Sequence, residues 1–244
     1  MKSHKQLPKF IIKNFQNKSG KVYYYDIKNE LIGEAGPKVL GTEEGYFSNI
    51  IENLLNTKVE SPFSSFLANT KKNPFSTSEL SEEKDKIVRA YISCTFFRSN
   101  YAREMFYQES FIAQFYPPQF INDFLVWATL SKEGYTLSCF RNHQTNIVVN
   151  ESEKAFITSR DGYSFIQSNG IECILIPFDP YIALLLAPLE YEKKHEIITL
   201  PCDADVMYIN EQILSNENEY NSDFIISTDK EELERLRDYL ANKK

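Results

Sequence analysis

The hydrophobic pattern changes its period near Gly134, and this change limits the folds that the chain can adopt. Before Gly134, apolar residues recur at helical spacing, most clearly over 43–56 and from 81 to about 108. After it, short β-branched or aromatic runs alternate with turn signals such as Arg160-Asp161-Gly162, Ser168-Asn169-Gly170 and Asp179-Pro180. The sequence therefore predicts an α+β fold, with a mainly helical N-terminal half packed on a largely antiparallel sheet from the C-terminal half.

Length and composition favour one domain spanning residues 1–244. The chain has 244 residues, and its hydrophobic fraction of 42% is enough for a sizeable core. Only 8 glycines are present, and the sequence contains no Walker loop, no G-x-S-x-G elbow, no H-E-x-x-H pair and no dinucleotide fingerprint. Any functional site must therefore be assembled from residues that are distant in sequence.

Charge and cysteine usage narrow the class of protein further. The net charge of −7 argues against a generally basic nucleic-acid surface, although it leaves room for a local basic groove. The four cysteines are widely spread, which excludes a zinc ribbon and favours buried free thiols. No apolar run is long enough to span a membrane and no signal peptide is evident, so we expect a cytoplasmic protein without a membrane partner.

Two further helices are predicted outside the central one. Residues 115–130 restart a helix after a double proline, with Phe120, Phe124 and Trp127 on one face. Near the end, Thr228 and Glu231 form a T-x-x-E capping box, which predicts a helix with a leucine stripe. The segment GKVYYYDI, introduced by an Asn-Lys-Ser-Gly turn, predicts an early strand.

The segment FITSRDGY is the first candidate site. A predicted strand delivers Thr158 and Ser159 into a turn that holds Arg160 and Asp161. Hydroxyls followed by a carboxylate at a strand end suit a metal, a phosphate or a base edge, but the same residues are also ordinary turn chemistry. Both interpretations stay open at this point.

Charged residues in the helical half supply further candidates. Glu60 lies just before a helix that follows Pro62, where the helix dipole favours a carboxylate. Arg98 and Arg103 lie on the long central helix but point in roughly opposite directions, so solvation is the simple expectation for each. His4 is the one histidine beside a segment that must dock, while the other two lie among polar neighbours.

The order of these motifs resembles that of a large, mainly bacterial family of unknown function, domain family 4238. The matching segments are HKQLPKFIIKNF, KVYYYDI, IIENLLNTKVES, FFRSNYAREMF, FITSRDGY, IPFDPYIALLLAP and VMYINEQILSNENEYNSDFIIS. They resemble, in turn, the family's His-Tyr-Val-Pro-type opening, its Tyr-rich strand, its paired-glutamate helices, its arginine-bearing helix, its Thr-Ser-Asp turn, its proline-linked strand pair and its closing segment. The resemblance covers nearly the whole chain.

Both polar motifs of the family are altered here. The family's histidine falls on Lys5, with His4 one position early, and its aspartate falls on Arg160, with Asp161 one position late. If those positions bind a metal in the family, two cations here oppose metal binding. Alternatively, His4 and Asp161 take over these roles, and Lys5 and Arg160 then suit a phosphate-bearing partner.

Three interpretations of these residues stay open, and the sequence does not decide whether the protein is an enzyme. In the first, His4, Lys5, Glu60 and Asp161 act as the catalytic groups of a phosphodiester-directed hydrolase, associated with defence or toxicity and with a divalent metal as an open cofactor. Its binding residues are Arg98, Arg103, Thr158, Ser159 and Arg160, and its partner is nucleic acid or a phosphate-bearing ligand. In the second, a binding or regulatory protein, the same surface holds a ligand or protein partner without catalysis. In the third, His4 and its neighbours only tie down the terminus, and the shared motifs are packing and turn devices.

Overall fold

The computed structural model describes residues 2–4, 7–40, 42–44, 46–72, 82–99, 102, 105–106, 108, 115–131, 142–168, 170–189, 197–219 and 223–243. The elements in chain order are β1 (Lys2–His4), α1 (Lys9–Asn14), β2 (Val22–Asp26), β3 (Leu31–Ala35), β4 (Thr42–Glu44), α2 (Asn49–Leu55), a π-helical turn (Asn56–Glu60), α3 (Ser61–Lys72), α4 (Glu82–Arg98), α5 (Pro118–Leu130), β5 (His143–Asn150), β6 (Thr158–Ser159), β7 (Ser164–Ser168), β8 (Ile171–Asp179), β9 (Ile182–Pro188), β10 (Ile197–Leu200), α6 (Asp203–Glu219), β11 (Phe224–Ser227) and α7 (Lys230–Ala241).

These elements form two compact units. The first comprises Met1–Pro8 and Gly41–His143, and the second comprises Lys9–Leu40 and Gln144–Lys244. Helices dominate the first unit and strands the second, which confirms the predicted α+β class. Whether residues 1–244 form a single domain depends on how the two units assemble, so the single domain stays a prediction.

The first unit is built around α2, α3 and α4. Ser48 caps α2, because its hydroxyl accepts a hydrogen bond from the backbone N–H of Ile51 at 3.4 Å. The helix therefore begins later than the predicted 43–56, whose first residues lie in β4. The π-helical turn joins α2 directly to α3, and Phe63 of α3 stacks on Tyr91 of α4 with ring centroids 3.7 Å apart. This aromatic stack is central to the packing of the unit.

Two faces in the first unit differ from the prediction. The buried face of α5 consists of Ile121, Asn122, Leu125, Val126 and Thr129. The aromatic face predicted for this helix is the exposed one, and Trp127 is 60% exposed. Met105, an apolar position of the helical pattern predicted from 81 to about 108, is also exposed. Helical periodicity identified these faces, but it did not show which of them the rest of the unit covers.

The second unit contains two sheets. One has the strand order β3-β2-β11-β6 and is antiparallel throughout. The other has the order β10-β5-β9-β8-β7, in which β10 pairs with β5 in parallel. The early hairpin β2–β3 therefore joins a strand from near the end of the chain, so the N-terminal half is not purely helical. A core containing Tyr25, Phe156, Leu175 and Ile225 draws on both sheets.

Helices α6 and α7 complete the second unit. The hydrophobic pattern predicts α7 but does not indicate α6. Leu233, Leu236 and Leu240 of α7 are buried, as the leucine stripe predicts. The cap of α7 is Asp229 rather than Thr228, because the Asp229 carboxylate accepts a hydrogen bond from the Glu231 N–H at 2.9 Å. The capping-box prediction was therefore wrong by one residue.

The structure also bears on two expectations from the sequence, which concern membrane-spanning segments and the state of the cysteines. Within the described part of the chain, no helix is long and apolar enough to cross a bilayer. Cys94 and Cys173 are buried free thiols, as expected, while Cys202 is a free thiol that lies exposed.

Candidate functional site

Glu60 and Arg98 form a buried ion pair within the first unit. The Arg98 guanidinium donates from Nη1 to Glu60 Oε1 at 3.0 Å, and its side chain is only 2% exposed, against 19% for Glu60. Its Cζ lies 5.6 Å from the centroid of the Phe47 ring, within cation–π range. The expectations of a solvated Arg98 and of a Glu60 that only serves the helix dipole were therefore wrong.

The surroundings of this pair have a low dielectric. Burial raises the pKa of the Cys94 thiol to about 12 and raises the pKa of the Tyr91 hydroxyl well above its usual value. Burial alone lowers the pKa of Arg98, but the charge and hydrogen bond of Glu60 more than offset this, so its pKa is raised overall. Arg98 therefore stays charged, and Glu60 is the counterion that makes its burial tolerable.

The Thr158–Ser159 strand ends in a tight turn in the second unit. Both side chains are buried, and the Ser159 hydroxyl donates to the backbone carbonyl of Tyr163 at 2.9 Å. The backbone N–H of Gly162 closes the turn on the Ser159 carbonyl at 3.1 Å, with a φ of +77° that favours glycine. The Thr158 hydroxyl is buried and has no hydrogen-bond partner among the described residues. These contacts match the interpretation as ordinary turn chemistry.

Arg160 is also held by the fold. Its guanidinium pairs with the carboxylate of Asp223, and its Cζ lies 5.7 Å from the centroid of the Phe224 ring. Its backbone N–H donates to the Phe224 carbonyl at 3.1 Å. Arg160 stands where the family resemblance implies an aspartate, and Asp223 provides its counterion. Asp161, the next residue, is half-buried.

The buried side chain of Asn210, on α6, forms hydrogen bonds that position the segment leading into this turn. The side chain of Asn210 is fully buried, accepts from the Ile157 N–H at 3.1 Å and donates to the Ala155 carbonyl at 3.0 Å. It also donates to Glu232 Oε1 at 2.9 Å, and the guanidinium of Arg235 binds the same carboxylate. Because both backbone groups precede Thr158 directly, Asn210 fixes the path of the chain into the turn.

The predicted catalytic residues do not form one described cluster. Glu60 and Arg98 belong to the first unit, whereas Thr158, Ser159, Arg160 and Asp161 belong to the second. The side chains of His4, Lys5 and Arg103 lie outside the described residues, so their roles stay predictions. Over the described ranges, no three His, Cys, Asp or Glu side chains lie close enough together to hold a metal ion.

An open cleft of about 680 Å³ lies elsewhere in the second unit. It is lined by the end of α1, the turn that follows it, strands β2 and β3, the turn between β8 and β9, and Thr228 before α7. Its volume falls within the range of small-molecule sites, about 300–1,000 Å³. Both sheets and one helix start thus contribute to a ligand-sized surface.

Hydrogen bonds make one wall of this cleft rigid. The Asn17 side chain accepts from the backbone N–H of Ser19 at 2.9 Å and donates to Glu34 Oε1 at 2.8 Å. The Lys21 ammonium lies 3.1 Å from Glu34 Oε2. The hydrogen bonds from Asn17 and Lys21 lower the pKa of Glu34, so this carboxylate is ionised and already neutralised.

Another part of the lining is the turn between β8 and β9. Asn14 donates to the Phe178 carbonyl at 2.8 Å, and Asn150 donates to the Pro180 carbonyl at 3.3 Å. The buried Asp179 carboxylate accepts from the Tyr181 N–H at 3.0 Å. These bonds fix the turn and leave the Tyr181 ring projecting, 48% exposed.

Four side chains that line the cleft remain available to a ligand. The Lys18 ammonium and the hydroxyls of Tyr23, Tyr181 and Thr228 make no hydrogen bond within the described part of the chain. The cleft thus combines fixed walls with four polar groups and two aromatic rings, an arrangement typical of recognition sites.

Sequence reasoning missed this cleft, although it located both of the turns that form it. Asn17–Gly20 and Asp179-Pro180 each have a clear turn signal. The pairing of Asn14 with Phe178 spans 164 residues, and no local pattern indicates it. The available signal was the number of polar and tyrosine residues around the two turns.

Fold and site define the class as a two-unit α+β protein with a preformed polar cleft in its strand-rich unit. Residues 5–119 match the model of a family described as "Protein of unknown function (DUF4238)". The match confirms the resemblance for the motifs within residues 5–119, whereas the later motifs, from FITSRDGY onward, lie outside the matched residues. No curated protein and no solved structure matches the chain.

Proposed function

We propose that the protein is a non-catalytic ligand-binding module whose binding surface is the cleft of the second unit. The observation behind this proposal is the contrast between two sets of polar residues. Arg98, Arg160 and Ser159 are buried in contacts that support the fold, whereas Lys18 and Tyr181 project into an open, ligand-sized space. A preformed cleft with a few convergent polar groups is the usual form of a binding site.

The phosphodiester-directed hydrolase stays a prediction. It needs an acid or base and, in most versions, a metal. Among the described candidates, Glu60 already serves as the counterion of Arg98. A hydrolase would therefore depend on His4, Lys5 and Asp161 as its catalytic groups.

The binding test is a thermal-shift screen of the full chain against sugars, nucleosides, amino acids and inorganic phosphate. A ligand that binds only the folded protein raises its melting temperature by mass action. We expect at least one compound to raise it in the wild type but not in Tyr181→Ala. The matched control is Tyr208→Ala, which removes a tyrosine of similar exposure that does not line this cleft.

The catalytic test incubates the protein with labelled RNA and DNA in the presence of Mg²⁺ or Mn²⁺. We expect no strand cleavage above that of a mock preparation. Cleavage that disappears in both His4→Ala and Asp161→Ala would overturn the non-catalytic proposal. A melting shift that persists in Tyr181→Ala would instead show that the cleft is not the binding surface.

A further inference from the structure

The charges around the cleft balance. Glu34 and Asp179 contribute two carboxylates to its lining, while Lys18 lines it and Lys21 neutralises Glu34 from beside it. A phosphate or a free acid would meet the Asp179 carboxylate without a surplus of positive charge to compensate for its desolvation. A cation would meet Lys18. An uncharged ligand therefore fits this cleft better than an ion of either sign.

The available groups offer both donors and acceptors. The hydroxyls of Tyr23, Tyr181 and Thr228 can each donate one hydrogen bond and accept others, and the Lys18 ammonium donates three. An uncharged ligand that satisfies them must itself carry several groups that both donate and accept. Adjacent hydroxyl groups have this property, and amides or ethers have it only in part.

The aromatic rings define the remaining part of the ligand. Tyr181 gives the cleft an exposed aromatic ring beside its hydroxyl, and the partly buried Tyr23 also lines the cleft. A saturated ring that bears hydroxyls has C–H groups that pack on an aromatic face while its edge forms hydrogen bonds. The rigid walls described above keep these groups in place before the ligand arrives, which lowers the entropic cost of binding.

We propose that the cleft binds a ring bearing adjacent hydroxyl groups, the chemistry shared by a saccharide unit and the ribose of a nucleoside. This inference rests on the proposed function, because it names the ligand class of that same surface. The ring packs on Tyr181, and its hydroxyls bond to Thr228 and Lys18. Recognition depends on hydroxyl pairs and not on formal charge.

The test is isothermal titration calorimetry with ligand-observed NMR, using the full chain. The probes are glucose, galactose, N-acetylglucosamine, adenosine and uridine, with 2′-deoxyadenosine, free lysine and inorganic phosphate as comparison compounds. We expect a saccharide or a riboside to bind, and Tyr181→Ala to weaken that binding by up to about tenfold, from the typical strength of one ring contact. Thr228→Val, which removes one hydroxyl at constant shape, should weaken it as well.

The outcomes separate the inference from the proposed function. Binding of saccharides alone, or of ribosides but not 2′-deoxyadenosine, supports the inference and identifies the source of the ring. Binding of phosphate or lysine alone, lost in Tyr181→Ala, overturns the inference and leaves the proposed function standing. Ring binding that both Tyr181→Ala and Thr228→Val leave intact also overturns it. If no probe binds and the wider screen finds no cleft ligand, both proposals fail.

Discussion

Removing the negative charge of Glu60 should destabilise the first unit far more than the loss of a surface ion pair. In Glu60→Gln, the Arg98 guanidinium keeps its charge but loses its carboxylate, while its side chain stays only 2% exposed. Breaking a buried pair from one side costs about 3–5 kcal/mol, against about 0.2–1 kcal/mol for an exposed pair. Because Glu60 is 19% exposed, we expect about 3 kcal/mol, the lower end of the buried range.

The assay is urea unfolding followed by tryptophan fluorescence. The single tryptophan, Trp127, lies on α5 in the first unit and so reports on the unit that contains the pair. With a urea dependence of about 2 kcal/mol per molar, the midpoint should fall by about 1.5 M in Glu60→Gln. Glu83→Gln, an exposed carboxylate-to-amide change on α4, is the matched control and should stay within about 0.5 kcal/mol of wild type.

A double variant separates the effect of the unpaired Arg98 charge from the effect of changing the Glu60 side chain itself. In Glu60→Gln/Arg98→Met neither charge of this pair remains, so we expect most of the lost stability to return. If Glu60→Gln changes the free energy of unfolding no more than Glu83→Gln does, the burial argument is wrong. If the double variant is less stable than Glu60→Gln, packing of the arginine chain and not its charge holds these helices together.

Three further perturbations test other parts of the structure. Glu34→Gln should make the melting temperature depend less on pH in the acid range. A carboxylate with a lowered pKa contributes stability that is present above its ordinary pKa of 4.5 and is lost as the pH falls through its folded-state pKa, and the amide cannot contribute this. Thermal melts across the acid range will measure the difference. Asn210→Ala should cost about 2–4 kcal/mol in urea unfolding, because it leaves the Ile157 N–H and the Ala155 carbonyl buried without partners, whereas Asn29→Ala on the surface should cost at most about 0.5 kcal/mol. The Cys94 thiol, whose pKa burial raises to about 12, should resist a thiol reagent at neutral pH until urea unfolds the protein, while Cys202→Ser should remove a fast-reacting thiol; rapid labelling of Cys94 in the native state would contradict its burial.

The sequence predicted elements whose signal is local and periodic. The leucine stripe of α7 and the strand at Val22–Asp26 follow from spacing and composition alone. Helix α6 was missed because two of its buried positions, Asn210 and Glu217, are polar and interrupt the apolar period. A polar residue that forms a buried hub looks like a surface residue until its partners are known.

The candidate site was harder to predict because its decisive contacts are long-range. Arg98 and Glu60 are 38 residues apart, and each has a sufficient local explanation that the structure overrides. The same holds for the aromatic face of α5, where periodicity gives two faces and only tertiary packing decides which one is buried. Sequence patterns thus located the residues that matter to the fold, but they did not distinguish structural charges from available ones.

Arg98 and Arg160 share one arrangement, which bears on the catalytic interpretation. Each guanidinium pairs with a carboxylate and lies within 6 Å of a phenylalanine ring. Arginine suits such buried sites because its guanidinium is planar and weakly hydrated, so its presence there does not require a phosphate. At position 160, where the family resemblance implies an acid, the cation comes with Asp223 as its own counterion. A hydrolase built on this chain must therefore rely on groups other than these two arginines, and this makes the cleavage assay with His4→Ala the decisive comparison between the two functions.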